Sequence, residues 1–299
     1  EQMAVCAKDA TPTWSEKTVT TPNFEIKYAI DFSAKENSAW TRFENNVSVG
    51  EGYTYILHFN AKSFTDSEGN NTNVYLVKFC DNAHTGGVSQ NAVRFGEVSD
   101  HTPQLEWVIN NGNHGARLET TTVFEAEQWY SVALVAEADG NRHIYVNGEE
   151  EALKNINNSA IELVDGKLPE DYFVKELASA EFGAIEWGDS WGTDGNKASN
   201  RPFPGYINMV SIWNRALSAE EVAALFKAAP ANLEDANLIA FWPMNEGEGY
   251  VCRNYAANSN IGNIDFSANW MEDVAPYGYF NNEIADKIAN ESWSDVEGW

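Results

Sequence analysis

The loop GDSWGTDGN at 188–196, with Trp187 just before it, gathers residue types that bind polar ligands. Asp189, Asp194 and Asn196 supply hard oxygen ligands suited to Ca²⁺, although their spacing is not that of an EF-hand loop. Trp187 and Trp191 flank Gly188-Asp189-Ser190, a setting in which indole burial is hard to arrange. Sugar rings present apolar C–H faces that stack on indoles, while carboxylates and amides bind their hydroxyls. Trp187, Trp191, Asp189 and Asn196 are therefore the candidate carbohydrate contacts, and Asp189, Asp194 and Asn196 the candidate metal ligands. The plainer alternative is that both Trp residues cap the end of a β-sandwich and Asp-Gly-Asn is an ordinary turn. DSEGNN at 66–71 is a second acidic loop.

Hydrolytic chemistry finds less support. Retaining cleavage of a glycosidic bond needs two carboxyl groups about 5–5.5 Å apart. An E-x-D-x-x-E strand would set them over a cleft, and the sequence has none; FEAEQW at 124–129 and GEEEA at 148–152 lack the pattern. His58, His84, His101, His114 and His143 are scattered, without an H-x-x-x-H pair or a G-x-S-x-G elbow. No catalytic residue is assigned.

The elements that must position these groups are strands. The chain has 299 residues, enough for one large β domain or two ordinary ones. Its 11 Trp, 12 Tyr and 15 Phe suit pleated sheets. Alternating segments recur at 24–32, 53–61, 74–80, 91–98, 104–110, 129–138, 143–149, 179–187, 205–213 and 238–245, divided by Asn, Gly, Asp and Ser. Asp139-Gly140 marks a hairpin turn. In LSAEEVAALF at 217–226, Ser218 and Glu221 have capping-box spacing and Leu217 and Val222 that of a hydrophobic staple, which predicts one short helix near 218–227. A second weak helical pattern lies near 282–291, and 150–178 reads as a long insertion. Helices alternating with strands are absent, which excludes a parallel α/β sheet.

The net charge of −26 argues against nucleic acid and anionic membrane surfaces as partners, and favours a neutral ligand or a cation. Cys6, Cys80 and Cys252 form no metal or disulfide-dense pattern. No apolar run is long enough to span a bilayer. The opening EQMAVCAKDA reads as a processed protein or an excised fragment.

Three segments carry a family resemblance. WYSVALVAEADGNRHIYVNGE, PFPGYINMVSIWNRALSAEEVAALF and LIAFWPMNEGEGYVCRNYAANSNIGN resemble the hairpin, closing strand with helix, and W-P-x-x-E-G-x-G segment of laminin-G-like, concanavalin A-like jelly rolls. The resemblance runs over roughly 24–275. It departs at Asn208, where the family often has Asp, and at Asn254-Tyr-Ala-Ala, in place of Asp-x-Ser-Gly. The fold expected is all-β, an antiparallel two-sheet jelly-roll sandwich with one short capped helix. Its last strand is expected to end at Trp213, with 238–270 supplying a late strand. Residues 1–22 would be a leader or linker, 23–275 the jelly roll and 276–299 a tail. The resemblance places Trp129, Trp213, Trp242 and Trp270 in the core and raises the expectation of one bound calcium. Trp107 alternates in phase with Leu105 and Ile109, as a buried residue would.

The resemblance extends to modules of cell-surface proteins in glycan-degrading Bacteroidetes. The function expected is therefore non-catalytic carbohydrate binding, extracellular or at the cell surface, on the outer-membrane exterior or in the periplasm. A protein-interaction or adhesion module of the same fold, with a protein partner, is the alternative, and a glycoside hydrolase is third.

Overall fold

The computed structural model describes residues 26–33, 38–49, 52–65, 73–80, 90–96, 103–110, 115–155, 167–169, 176–183, 203–226, 228–257, 259, 261–267 and 269–272. In chain order the first strands are β1 (Tyr28–Asp31), β2 (Ser38–Ser48), β3 (Tyr53–Ala61), β4 (Val74–Cys80), β5 (Gln90–Phe95) and β6 (Leu105–Asn110). Next come β7 (Gly115–Glu119), β8 (Trp129–Ala136), β9 (Arg142–Val146), β10 (Glu149–Glu150), β11 (Lys154–Asn155) and β12 (Glu176–Phe182). The chain continues through β13 (Gly205–Trp213), helix α1 (Ala219–Leu225), β14 (Leu238–Trp242), β15 (Val251–Cys252), β16 (Ile264–Ser267) and β17 (Asn269–Glu272).

These strands form two antiparallel sheets. The eight-stranded sheet runs β10-β9-β8-β3-β13-β1-β17, with β14 also on β13; the nine-stranded sheet runs β11-β7-β6-β5-β4-β12-β2-β16-β15. The inner faces supply one core, in which Tyr55 stacks on Phe79 at 4.1 Å and Phe182 meets Trp242 edge-on. Trp107 is fully buried as its alternation predicts, and its indole N–H donates to Asn91 Oδ1 at 2.7 Å. A buried donor without such a partner would cost about 1–3 kcal/mol. Gly140 takes φ +98° in the turn between β8 and β9, the conformation that the Asp-Gly pair predicts.

The sandwich does not end at Trp213. Residues 238–272 return with four more strands, two to each sheet, so this segment supplies more than one late strand. Strict alternation also fails in β13. The pairing with β3 shifts between Asn208 and Ser211, and Met209 takes φ +52°. This bulge lets β1 pair with the first half of β13 and β14 with the second.

The eight-stranded sheet is apolar on its outer face as well. Trp129, Trp213, Ile56, Ala133, Tyr145 and Met209 form a second buried cluster with Leu217 and Val222 of the helix segment and Phe241 and Ala256 of the return. Trp129 and Trp213 therefore pack outside the inter-sheet core, whereas Trp242 lies within it. The capping box is formed: Ser218 Oγ accepts from Glu221 N, and Glu221 accepts from Ser218 N. Arg215 grips the same carboxylate at 2.6 Å, and this bond leads in holding Glu221 down to about 2. The helix lies across the outer face beside the edge strand β10. No described helix is long and apolar enough to cross a membrane.

A polar layer lies within the same outer face. His58 of β3 is buried, with Nε2 3.1 Å from the Ser131 hydroxyl of β8. Burial lowers its pKa from 6.5 to about 3, because the charged ring would lose its hydration. The unfolded chain gains this proton near pH 6.5 and the folded one only near pH 3. Stability from His58 is thus full above pH 6.5 and is lost as pH falls toward 3, by roughly 5 kcal/mol at the lower limit. Urea unfolding between pH 7 and 4 should show His58→Gln losing less stability than the wild type; identical slopes would show that His58 does not carry the effect.

Candidate functional site

The 187–196 loop, with Trp187, Asp189, Trp191, Asp194 and Asn196, lies outside the described residues, as does the 66–71 loop. The flanks of the first are fixed. Phe203 N donates to Gly183 O at 2.6 Å, so the chain leaves and re-enters the sandwich at one point. Among the described residues, no three His, Cys, Asp or Glu side chains come together to hold a metal ion. The two departures from the family pattern have structural explanations. Asn208 Nδ2 donates to Tyr28 O, and Asn254 donates to Ser259 Oγ and Ile261 O while accepting from Phe241 N and Ala256 N. An aspartate could make none of those donations.

Two further groupings deserve comparison. On the outer face of the nine-stranded sheet, Tyr75, Arg94, Glu106, Glu119 and Lys154 occupy successive register positions across β4, β5, β6, β7 and β11. Glu106 and Glu119 therefore face each other across β6 and β7, the arrangement a hydrolase would use. Each, however, meets a cation. Arg94 Nε donates to Glu106 at 2.7 Å, Arg117 stands 3.9 Å from it, and Lys154 is 3.9 Å from Glu119. Both carboxylates are buried, and Arg94 also reaches the Tyr75 hydroxyl at 2.8 Å. The row is a compensated charge ladder that ties strands together.

On the other sheet, Trp129 and Tyr206 lie near parallel with centroids 6.4 Å apart. That surface is already filled: Lys62 Nζ sits 4.5 Å over the Tyr206 ring and 3.2 Å from Asp31. Trp129 itself is buried.

Among the described residues, the most open aromatic surface is at the sandwich edge where β17 and β15 end their sheets. The loop Asn245-Glu-Gly-Glu-Gly-Tyr250 bridges the two edges. Asn245 Oδ1 accepts from Lys27 N and Tyr28 N at 2.7 and 2.9 Å, pinning the loop to β1 and the residue before it. Glu246 accepts from Asn245 N and Arg253 N, closing the loop on itself. Gly247 has φ +72°, and a Cβ there would lie 2.6 Å from the Tyr28 ring. Gly249 has φ +75°, its carbonyl accepts from Trp270 Nε1 at 3.1 Å, and a Cβ there would meet nothing within 4 Å. Tyr28 and Trp270 are part-buried and meet edge-on at 6.3 Å. Beyond them Tyr250 is 69% exposed and Val251 41% exposed. Trp270 is thus only part-buried, at the margin of the core. The loop holds an apolar ring in water on a backbone that is fixed at both ends, beside the exposed Glu248 and Arg253.

Sequence reasoning passed over this site because E-G-E-G-Y resembles a family turn. The usable signal was two glycines around one residue, followed at once by tyrosine.

Comparison with known proteins fits this architecture. Residues 35–223, more than half of the chain, match Laminin_G_3, the concanavalin A-like lectin/glucanases superfamily. The chain belongs to that superfamily. Among solved structures, a candidate carbohydrate binding protein from Bacteroides ovatus ATCC 8483 is 21% identical with a TM-score of 0.55, over 86% of this chain. The chain spans 63% of that protein's length, and the likeness is one of fold. A heptameric SAP-like pentraxin from Limulus polyphemus is 13% identical over 81% of this chain and 95% of its own, at a TM-score of 0.48. The CBM40 of Ruminococcus gnavus IT-sialidase, bound to α2,3 sialyllactose, is 14% identical over 70% and 98%, at 0.40. Those last two superpose too loosely to inform the site. No curated protein matches the chain.

The loop geometry separates two glycine substitutions. Gly247→Ala combines left-handed strain with a clash against Tyr28, whereas Gly249→Ala adds strain in open space. Strain alone costs on the order of 1–3 kcal/mol, so denaturant midpoints should fall further for Gly247→Ala. Equal losses would show that the Tyr28 contact does not brace the loop.

Proposed function

We propose that this chain is a non-catalytic carbohydrate-binding module of a secreted or cell-surface protein that captures poly- or oligosaccharide, with the 245–251 edge as its contact surface. The observation that carries this reading is the Tyr250 ring, 69% exposed on a loop braced by Tyr28, Asn245 and Trp270. An exposed ring on a fixed backbone offers a stacking face, and neighbouring carboxylates accept sugar hydroxyls. Membership of a superfamily of lectins and glucanases supports it, as does the Bacteroides ovatus neighbour, a candidate carbohydrate binding protein. The same neighbour is consistent with a role in Bacteroidetes glycan use. The compensated charge of Glu106 and Glu119 favours binding over hydrolysis.

The 187–196 loop is proposed as a secondary contact, with Trp187 and Trp191 stacking, Asp189 and Asn196 selecting hydroxyls, and calcium held by Asp189, Asp194 and Asn196. A protein-interaction module remains the rival class.

Calorimetry against a broad panel of neutral polysaccharides tests the reading. Tyr250→Ala should weaken binding at least about tenfold, the size of a stacking hot spot, with a cooperative melt retained as the folding control. Trp191→Ala should weaken it less. Unchanged affinity in Tyr250→Ala with loss in Trp191→Ala would move the site to the 187–196 loop. No binding by the wild type to any glycan would favour the protein-interaction class.

A further inference from the structure

Capturing the end of a glycan chain takes a pocket, since sites that recognise a whole small ligand bury most of its surface. The 245–251 edge is built in the opposite way. Tyr250 and Val251 stand out from it, and the Cβ position of Gly249 is open to beyond 4 Å. The openness recurs at the other end of the short β15–β16 ladder. Val251 pairs with Asp265 and Cys252 with Ile264, so Gly249 precedes one end of this ladder and Gly262 the other. A Cβ at Gly262 likewise meets nothing within 4 Å. Both positions are backbone fixed by indoles: Trp270 Nε1 binds Gly249 O, and Trp242 Nε1 binds Gly262 O at 3.2 Å. The result is a firm ledge, with an aromatic ring standing on it and free space at either end.

We infer that this ledge takes internal residues of a polysaccharide chain, which enters at one glycine and leaves at the other, and that it does not recognise a chain terminus. The inference rests on the carbohydrate reading above and narrows it to a ligand class. One sugar ring stacks on Tyr250, and neighbouring rings lie along the β15–β16 edge. Each adds a small increment, because each stays partly in water. Affinity then depends on chain length and is indifferent to the chemistry of the ends.

The test uses the full chain and size-graded oligosaccharides from barley β-glucan, xylan and galactomannan, each in native and borohydride-reduced form. Isothermal calorimetry should show feeble binding of the disaccharides of one series and a rise of at least about tenfold along it. Reduction of the end should leave the longer members unchanged, and Tyr250→Ala should flatten the rise. A disaccharide that binds as tightly as the polymer, or binding abolished by end reduction, would overturn the ledge while leaving carbohydrate binding intact. If none of the three binds, the series is taken from whichever polymer of the broad panel does, and failure of every polymer in that panel would overturn both.

Discussion

An eight-stranded sheet that is apolar on both faces cannot leave one of them in water, and this constraint shapes the second half of the chain. The inner face is met by the nine-stranded sheet; the outer face, carrying Trp129, Trp213, Tyr145 and Met209, needs a separate cover. Each large side chain buried there contributes roughly 1.5–3 kcal/mol. The cover is α1 with the segments flanking β14, through Leu217, Val222, Leu233 and Ala256. Because the 228–257 return must cross from β13 to the far edge of both sheets, it delivers the 245–251 loop to the place where β15 and β17 end them. The candidate site is a consequence of covering the sheet.

Polar groups within this arrangement are placed by the same logic. The β13 bulge turns Met209 into the outer cluster and leaves Asn208 beside β1, where its amide can donate to Tyr28 O. Asn254 donates to Ile261 O, a bond aspartate could not make, and Asn245 accepts from Tyr28 N; together they hold the return in register. On the other sheet, Arg94, Glu106, Glu119 and Lys154 neutralise one another across strands. These positions could be mistaken for chemistry in the sequence, and their partners define them as architecture.

Much of the fold was legible because it follows from local rules. The Asp-Gly turn, the Ser218 capping box and the buried phase of Trp107 depend on residues close in sequence, and all three are as expected. The pattern does not mark β2 and β7, because SAWTRFENNVS and GARLE are polar and show little alternation, nor β11 and the start of β12, which lie inside the expected 150–178 insertion. The end of the sandwich was set too early, since nothing near Trp213 signals that β13 will be shared by β1 and β14. The Tyr250 site was missed for a related reason. Its geometry needs Tyr28 and Trp270, which are more than two hundred residues apart in the chain. Trp187, Trp191 and their acidic neighbours were conspicuous by composition alone, and lie outside the described residues.

The central claim is that glycan meets the chain at the edge formed by 245–253 and 269–272. Titrating an isotope-labelled chain with a binding oligosaccharide, and following its backbone amide resonances, tests this directly. The account predicts that shifts concentrate at Gly249, Tyr250, Val251 and Trp270 and leave Glu106 and Arg94 unmoved. Shifts centred on Arg94, Glu106 and Glu119, or on the chain between Gly183 and Phe203, with Tyr250 unaffected, would contradict it.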